Sequence, residues 1–232
     1  MPRAVIFDLS TALLDSWNIW EVAANDRQKG HEWRSHYLKV AFECGAYRPY
    51  KDLVREAAQQ ANLPATATDT LFSRWHEMRP WPEAPSVVRD LRSRGYQVGI
   101  VSNCSAELGR QALACLGPFT DYALVTAEEA GFYKPHPKVY EHILSVLNVN
   151  PRNALFVAGS NGDVIGAANA GMDVVWHNRM NFEALPGSAP LHEAKSLRVL
   201  LHDLLGCRGL QRWDIPTPSL YLNRNVSECM RG

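Results

Sequence analysis

The 232-residue chain has the composition of an ordinary globular protein, with 46% hydrophobic and 21% charged residues. Lys plus Arg and Asp plus Glu both total 24, so no net charge favours nucleic acid or an anionic membrane as a partner. No apolar run is long enough to cross a bilayer, and no basic segment leads into a long apolar one at the N-terminus. The 5 cysteines are widely spaced and form no CxxC pair, which argues against a disulfide framework or a zinc site. We therefore expect a cytoplasmic protein.

The first predicted element is a buried parallel strand, because the apolar run that starts at Ala4 is halted by a single carboxylate, Asp8. An aspartate at the carboxyl end of such a strand lies where open α/β sheets bind their ligands. Aspartate also caps helices and turns, and Asp8 taken alone does not distinguish the two functions.

A helical insertion is predicted directly after this strand. Apolar residues recur at helical spacing over residues 17–60 and again over 69–78, and a proline-rich connection follows. We expect residues 14–80 to form a helical cap on a core made of residues 1–13 and 81–205.

The rest of the chain alternates between strand-forming and helical segments. Strands are predicted at 97–101, 122–126, 154–157 and 174–177, and helices at 86–94, 106–116, 137–147 and 163–170. This alternation predicts an α/β fold with a doubly wound parallel sheet. Another helix is predicted near 195–205. The tail, residues 206–232, is expected to pack either on its own subunit or on a second copy in a homodimer.

Polar residues follow the ends of the predicted strands. In chain order they are Asp8, Ser102, Asn103, Lys134, Ser160, Asn161 and Asp163. Because parallel strands point their carboxyl ends the same way, we expect these groups to converge at one edge of the sheet. The proline after Lys134 holds that lysine in an extended loop, from which it can orient a carboxylate and offset its charge.

Four short motifs resemble those of the haloacid dehalogenase superfamily. They are Phe7-Asp8, Val101-Ser102-Asn103, Lys134-Pro135-x-Pro137, and Asp163 followed by Gly166-Ala167. The resemblance covers residues 4–178. It implies a Rossmann-like core with a helical cap after the first strand, a nucleophilic Asp8, and Lys134 and Asp163 as further catalytic residues.

Two positions separate the chain from the phosphatases of that superfamily. Those enzymes resemble one another in a second aspartate two residues after the nucleophile, where this chain has Ser10, and in an acidic residue where it has Ala158. Mg²⁺ prefers several hard oxygen ligands in octahedral geometry, and Asp8 and Asp163 alone make a poor site for it. We therefore expect no metal and no cofactor.

Two other residues resemble the L-2-haloacid dehalogenases of the superfamily. Arg34, within the segment Glu32–Leu38, looks like the cap arginine that receives the departing halide, and Tyr140 looks like an active-site tyrosine. The alternatives are a solvated arginine on a helix face and a tyrosine packed in the core.

The function that this resemblance implies is metal-independent hydrolysis of a small 2-haloalkanoic acid through an ester on Asp8. Halide would leave towards Arg34 and Asn103. Water would then hydrolyse the ester with help from Asp163 and Lys134. The residues expected to bind the carboxylic acid substrate, in part through backbone N–H groups, are Leu9, Ser10, Arg34, Ser102, Asn103, Tyr140, Ser160 and Asn161.

The chain departs from the dehalogenase pattern at the groups that handle water. The Gly-Thr that follows the nucleophile in the dehalogenases is Thr11-Ala12 here, and their Ser-Ser-Asn is Ala158-Gly159-Ser160. The aromatic residue expected before Asp163 is Gly162. Ester formation is therefore better supported than efficient turnover. The alternatives are other Asp-dependent chemistry on an unknown metabolite, and a degenerate member that does not catalyse.

Overall fold

The computed structural model describes residues 2–117, 122–202 and 204. Its strands are β1 (Ala4–Asp8), β2 (Leu14–Asp15), β3 (Arg79–Pro80), β4 (Gln97–Ser102), β5 (Ala123–Thr126), β6 (Ala154–Ala158), β7 (Asp173–His177) and β8 (His192–Ala194). Among the described residues, six strands form one sheet in the order β5-β4-β1-β6-β7-β8, and each neighbouring pair is parallel. β2 and β3 form a separate antiparallel pair.

The helices connect these strands. They are α1 (Trp17–Ala24), α2 (Arg27–Glu43), α3 (Tyr50–Gln60), α4 (Ala65–Ser73), α5 (Ala84–Ser93), α6 (Ala106–Ala114), α7 (Ala127–Ala130), α8 (Pro137–Leu147), α9 (Asn161–Asn169) and α10 (Leu197–Leu200). Over the described ranges, none of these helices has both the length and the apolarity needed to cross a membrane.

Strand β1 lies at the centre of the sheet, between β4 and β6. Its residues are buried on both sides, because Val5 and Phe7 belong to one hydrophobic cluster and Ile6 to a second one. A sheet covered on both faces buries strands that are apolar throughout, which explains the unbroken run before Asp8. The prediction of a doubly wound α/β fold is confirmed.

Helices α1 to α4 follow β1 and pack together through large aromatic side chains. The Trp33 indole donates a hydrogen bond to the Val54 carbonyl at 2.9 Å, which joins α2 to α3. The Trp75 indole reaches α6, where it donates to the Leu108 carbonyl at 2.9 Å. The Tyr37 hydroxyl reaches the sheet itself, where it donates at 2.7 Å to the carbonyl of Asn103, the residue directly after β4. The helical segment is therefore tied to the edge of the sheet at which β4 ends.

Some elements differ from the sequence predictions. The predicted helical region 17–60 is three helices, and the first break is at Asn25, whose φ of 50° is left-handed. Strand β8 was not predicted, because it is three residues long and mainly polar. Within the helix predicted near 195–205, α10 covers Leu197–Leu200, and His202 and Leu204 are also helical. The tail, residues 206–232, lies outside the described residues.

Candidate active site

Asp8 ends β1 and also caps the turn that follows it. Residues Leu9–Leu13 form a π-helical turn, and its first free backbone N–H groups point back at the Asp8 carboxylate. Oδ2 of Asp8 accepts hydrogen bonds from Thr11 N at 2.6 Å, Thr11 Oγ1 at 2.6 Å and Ala12 N at 3.1 Å. Of the two interpretations of Asp8 that the sequence left open, the cap is observed, since Oδ2 caps the turn. The other oxygen is left for a second partner, and the catalytic role of Asp8 stays a prediction.

That second partner is Lys134. Its Nζ lies 2.7 Å from Asp8 Oδ1 and 3.0 Å from Asp163 Oδ1, and all three side chains are almost fully buried. The Asn103 side chain fixes the lysine backbone, because its amide accepts from Lys134 N at 2.7 Å and donates to Lys134 O at 3.0 Å. Residues from four separate parts of the sequence therefore form one charged cluster at the carboxyl edge of the sheet.

The pKa values of the two carboxylates move in opposite directions. Burial by itself would raise the pKa of Asp8, but the Lys134 charge and the hydrogen bonds from Lys134 and Thr11 outweigh it and leave that pKa below its ordinary value. Burial and the Asp8 charge outweigh Lys134 at Asp163, so the pKa of Asp163 is raised. Burial opposes the charge of Lys134, but the two carboxylates raise its pKa. Asp8 is thus the better-stabilised anion, and Asp163 is the stronger base.

Arg34 projects from α2 into the same region and is only 5% exposed, so it is not a solvated arginine on a helix face. Its Cζ lies 4.0 Å from the ring centroid of Trp17 and 5.9 Å from that of Trp20. Among the described residues, its Nε and Nη1 have no hydrogen-bond partner. Burial lowers the pKa of Arg34, but a guanidinium still remains charged. A buried cation with free donors is an anion-binding group.

A cavity of about 420 Å³ lies between the helical segment and the carboxyl edge of the sheet. Of the predicted site residues, it brings together Asp8, Ser10, Arg34, Asn103, Lys134, Ser160, Asn161 and Asp163. Its aromatic lining comes from Trp17, Trp20, Tyr37, Phe42, Tyr50, Trp75 and Phe182. The cavity therefore combines a polar, charged floor with aromatic walls, which is the usual composition of a small-molecule site.

Three predicted substrate contacts lie behind the cavity surface instead. The Leu9 side chain is fully buried in the core. Ser102 is also fully buried, 3.2 Å from Ser10 Oγ and 3.3 Å from Cys104 Sγ. Tyr140 packs in the hydrophobic cluster under α8, and its hydroxyl donates to Asp163 Oδ1 at 3.3 Å. Neither the Ser102 nor the Tyr140 side chain lines the cavity, but each contacts a residue that does, Ser10 and Asp163 respectively. Their contact with the substrate stays a prediction.

Comparison with known proteins identifies the family of this chain. A family model described as "Haloacid dehalogenase-like hydrolase" matches residues 5–177, which is most of the chain. The chain belongs to the haloacid dehalogenase-like hydrolases. The resemblance of the four motifs to that superfamily is therefore confirmed.

Relatives within this hydrolase family differ in activity. The chain is 30% identical over 216 residues to (S)-2-haloacid dehalogenase 4A of Burkholderia cepacia, covering 85% of this chain and 93% of that protein. It is 27% identical to a glyceraldehyde 3-phosphate phosphatase of Methanothermobacter thermautotrophicus, covering 79% and 89%. A solved dehalogenase with an intermediate complex superimposes with a TM-score of 0.78 at 27% identity, covering 89% of this chain and 98% of that one.

At two of the departures from the dehalogenase motifs this family member has a glycine, and another side chain fills the space beside it. A Cβ placed on Gly159 would lie 2.1 Å from Thr11 Oγ1, so the Thr11 hydroxyl fills the space of a side chain at 159. A Cβ on Gly162 would lie 2.9 Å from the tip of the Phe42 ring, so an aromatic ring from α2 covers this glycine. The sequence analysis missed Thr11 and Phe42. For Thr11 the signal was a hydroxyl three residues after a capping aspartate.

The carboxylate oxygens of Asp8 and Asp163 do not suit Mg²⁺. Asp163 and Oδ1 of Asp8 are bound to the Lys134 ammonium, and Oδ2 of Asp8 already accepts three hydrogen bonds. Ala158, at the position where the phosphatases carry an acid, is fully buried and offers no oxygen from its side chain. In the ranges that the structure describes, no cluster of three or more His, Cys, Asp or Glu side chains could hold a metal ion. The donor set therefore does not fit the magnesium site of the family phosphatases.

Proposed function

We propose that this hydrolase releases halide from a 2-haloalkanoic acid, without a metal, through an ester on Asp8. The observation that carries the proposal is Arg34, a buried guanidinium with unpaired donors in the same cavity as an ionised Asp8. A negatively charged nucleophile and a nearby cation with unpaired donors suit the displacement of one anion by another. In this proposal residues 14–80 are the cap, and residues 1–13 and 81–205 are the core.

In the first step an Asp8 oxygen attacks the carbon that bears the halogen. The new C–O bond forms as the carbon–halogen bond breaks, and the electron pair leaves with the halide towards Arg34. Burial favours this step, because a carboxylate that is stripped of water and held by few donors is more nucleophilic. Lys134 keeps Asp8 ionised, since it holds the pKa of that carboxyl down.

In the second step water attacks the Asp8 carbonyl carbon. Asp163 lines the cavity and has a raised pKa, so it is the group suited to accept the proton of that water. The tetrahedral intermediate then collapses, and the bond between the Asp8 carbonyl carbon and the substrate oxygen breaks. The product is a 2-hydroxy acid that carries an oxygen from Asp8, and Asp8 keeps the oxygen of the water.

Phosphate ester hydrolysis, the activity of the phosphatase relative, is the second candidate. It is less well supported, because the donor set does not fit Mg²⁺ and Ser10 replaces the second aspartate of the phosphatases. Other Asp-dependent chemistry on an unidentified metabolite is the third candidate, and the same assays test it. A purely binding role is disfavoured, because three buried charges at Asp8, Lys134 and Asp163 are costly to keep without chemistry.

The test is halide release from a panel of 2-haloacids, with and without EDTA, by the wild type and by Asp8→Asn. We expect release that survives EDTA and is abolished by Asp8→Asn, whereas Asp69→Asn on exposed α4 behaves as the wild type. One turnover with excess enzyme in water labelled with heavy oxygen should leave the label on Asp8 and not in the product. Label in the product would exclude the ester, and Mg²⁺-dependent release of phosphate without any halide release would favour the phosphatase.

A further inference from the structure

The two oxygens of Asp8 have different surroundings. Oδ2 accepts three hydrogen bonds, two from backbone N–H groups and one from the Thr11 hydroxyl, all between 2.6 and 3.1 Å. Among the described residues, Oδ1 accepts from Lys134 alone, at 2.7 Å. An oxygen that is held by three donors is a weak nucleophile, so Oδ1 is the atom that forms the ester. Oδ2 then becomes the carbonyl oxygen of that ester.

The carbonyl oxygen of an ester gains negative charge when water attacks the carbon beside it. Donors placed at 2.7–3.1 Å from such an oxygen are the usual means of stabilising that charge, and they act most strongly where water is excluded. The donors at Oδ2 lie at 2.6, 2.6 and 3.1 Å, which is within about 0.1 Å of that range, and they surround an atom of an almost fully buried residue.

The position of the Thr11 hydroxyl is fixed by an independent feature, the absence of a side chain at Gly159. A Cβ at this position would lie 2.1 Å from Thr11 Oγ1 and 2.4 Å from Ala12 N, both far inside van der Waals contact. Any other residue at 159 would push the hydroxyl away from Asp8. The glycine and the threonine therefore depend on each other.

We propose that the Thr11 hydroxyl, together with the N–H groups of Thr11 and Ala12, forms the oxyanion site for hydrolysis of the Asp8 ester. This inference rests on the proposed function, since it requires that ester. It assigns Thr11 a catalytic role in the second step. The Thr11 hydroxyl can take this position because Gly159 has no side chain. The loss of a hydroxyl at Ala12 is thereby compensated one residue earlier in the chain.

The electrons of this step balance within the site, and of the two protons of the water one ends on the product alcohol and the other leaves Asp8 for solvent when that carboxyl ionises again. Water adds to the Asp8 carbonyl carbon, its proton passes to Asp163, and the electron pair of the carbonyl moves onto Oδ2 between its three donors. When the carbonyl re-forms, the bond to Oδ1 breaks and Oδ1 leaves as the alcohol oxygen of the product. Lys134, 2.7 Å from Oδ1, can give that oxygen its proton and recover one from Asp163.

The test separates the two chemical steps in three variants of Thr11. Thr11→Val and Thr11→Ala remove the hydroxyl, and Thr11→Ser retains it. Excess enzyme is mixed with a 2-haloacid, halide release reports ester formation, and the mass of the intact protein reports the ester and its decay. Thr70→Val is the matched control, because within the described part of the chain the Thr70 hydroxyl donates to a carbonyl of its own helix, α4, and to no other group.

We expect Thr11→Val and Thr11→Ala to slow ester decay by about 10²-fold or more, with ester formation changed only a few-fold. The ester should accumulate, while Thr11→Ser stays close to the wild type. The variant Gly159→Ala should reproduce the slow decay, because its Cβ displaces the hydroxyl. An equal loss in both steps would show that Thr11 only supports the fold, and no loss in either would show that its hydroxyl is not needed; both results would overturn the proposal. If the wild type forms no ester from any haloacid, the proposed function fails, and this inference fails with it.

Discussion

The Arg34 guanidinium stacks on Trp17, with its Cζ 4.0 Å from the ring centroid, while its Nε and Nη1 have no hydrogen-bond partner among the described residues. Stacking on an aromatic face holds the group in place but leaves donors in its plane unused. Burying a cation in this way destabilises the free protein unless an anion completes the site. The arrangement is therefore expected to favour anion binding at the expense of stability.

Replacing Arg34 tests this relationship. We expect Arg34→Met to abolish halide release and to raise the free energy of unfolding by about 1–4 kcal/mol, because an unpaired buried charge is exchanged for an apolar side chain of similar length. Assays of halide release and chemical denaturation measure the two effects. Arg27→Met at the start of the same helix is the control, since Arg27 is 79% exposed, and it should change neither quantity. Lower stability together with normal activity would contradict the prediction.

Lys134 offers the opposite experiment. Lys134→Met leaves two buried carboxylates, Asp8 and Asp163, without their cation, and we expect a loss of about 3–5 kcal/mol in stability. Both carboxylates can become neutral by binding protons, so the variant should regain stability as the pH falls, whereas the wild type should lose the stability that ionised Asp8 provides. Denaturation curves at several pH values measure these opposite pH dependences of the free energy of unfolding. Exposed Lys138 provides the control variant Lys138→Met, which is expected to follow the wild type.

The two chemical steps should differ in their dependence on acid. The pKa of Asp8 is lowered, so Asp8 stays ionised and alkylation continues as the pH falls below the ordinary range of an aspartate. Burial is the largest cause of the raised pKa of Asp163, and it persists in the ester although the Asp8 charge does not. We therefore expect Asp163 to become protonated at a higher pH than Asp8, so that hydrolysis stops first. Quenched single turnovers at decreasing pH should therefore show the ester accumulating on Asp8. A common midpoint for both steps would argue against Asp163 as the base, provided that circular dichroism shows a folded protein.

The range of substrates should depend on Phe42. Its ring covers Gly162 and lines the cavity, although the residue is 38% exposed. We expect Phe42→Ala to reduce kcat/KM for haloacetates several-fold and to improve it for 2-haloacids with a bulky apolar substituent, because the cavity widens at this wall. Kinetics over a series of 2-bromo acids measure the shift. Val22→Ala, at a residue of equal exposure on α1, is the control, and a uniform change across the series would contradict the prediction.

The sequence predicted the central part of the site because its signals were strong and local. The apolar run that ends in Asp8 predicts both a strand and the edge of the sheet at which the carboxylate lies. The order of the motifs then predicts Lys134 and Asp163 beside it. Side-chain direction behind the surface was harder to predict. Ser102 and Tyr140 stand in the expected motifs, but the packing of β4 and α8 turns their hydroxyl groups towards Ser10 and Asp163.

The role of Thr11 could not be predicted from its own position, because it depends on the glycine at 159. These residues are distant in sequence, and only the close approach of two loops shows that one hydroxyl takes the space of another side chain. The same holds for Phe42 and Gly162. Exchanges of volume between distant positions are invisible in a single sequence, since no local pattern links the two residues.

The aromatic donors of the helical segment have a consequence for how this protein tolerates substitution. Trp33, Trp75 and Tyr37 each bond to a main-chain carbonyl, and every amino acid carries that acceptor. Exchanging the residue at 54 or 108 therefore leaves the hydrogen bond intact, whereas exchanging the aromatic residue removes it. The junction constrains the sequence on one side only. The identity of the three aromatic residues is therefore restricted by these hydrogen bonds, whereas the residues that accept them are restricted only by their own packing, which buries Val54 and Leu108.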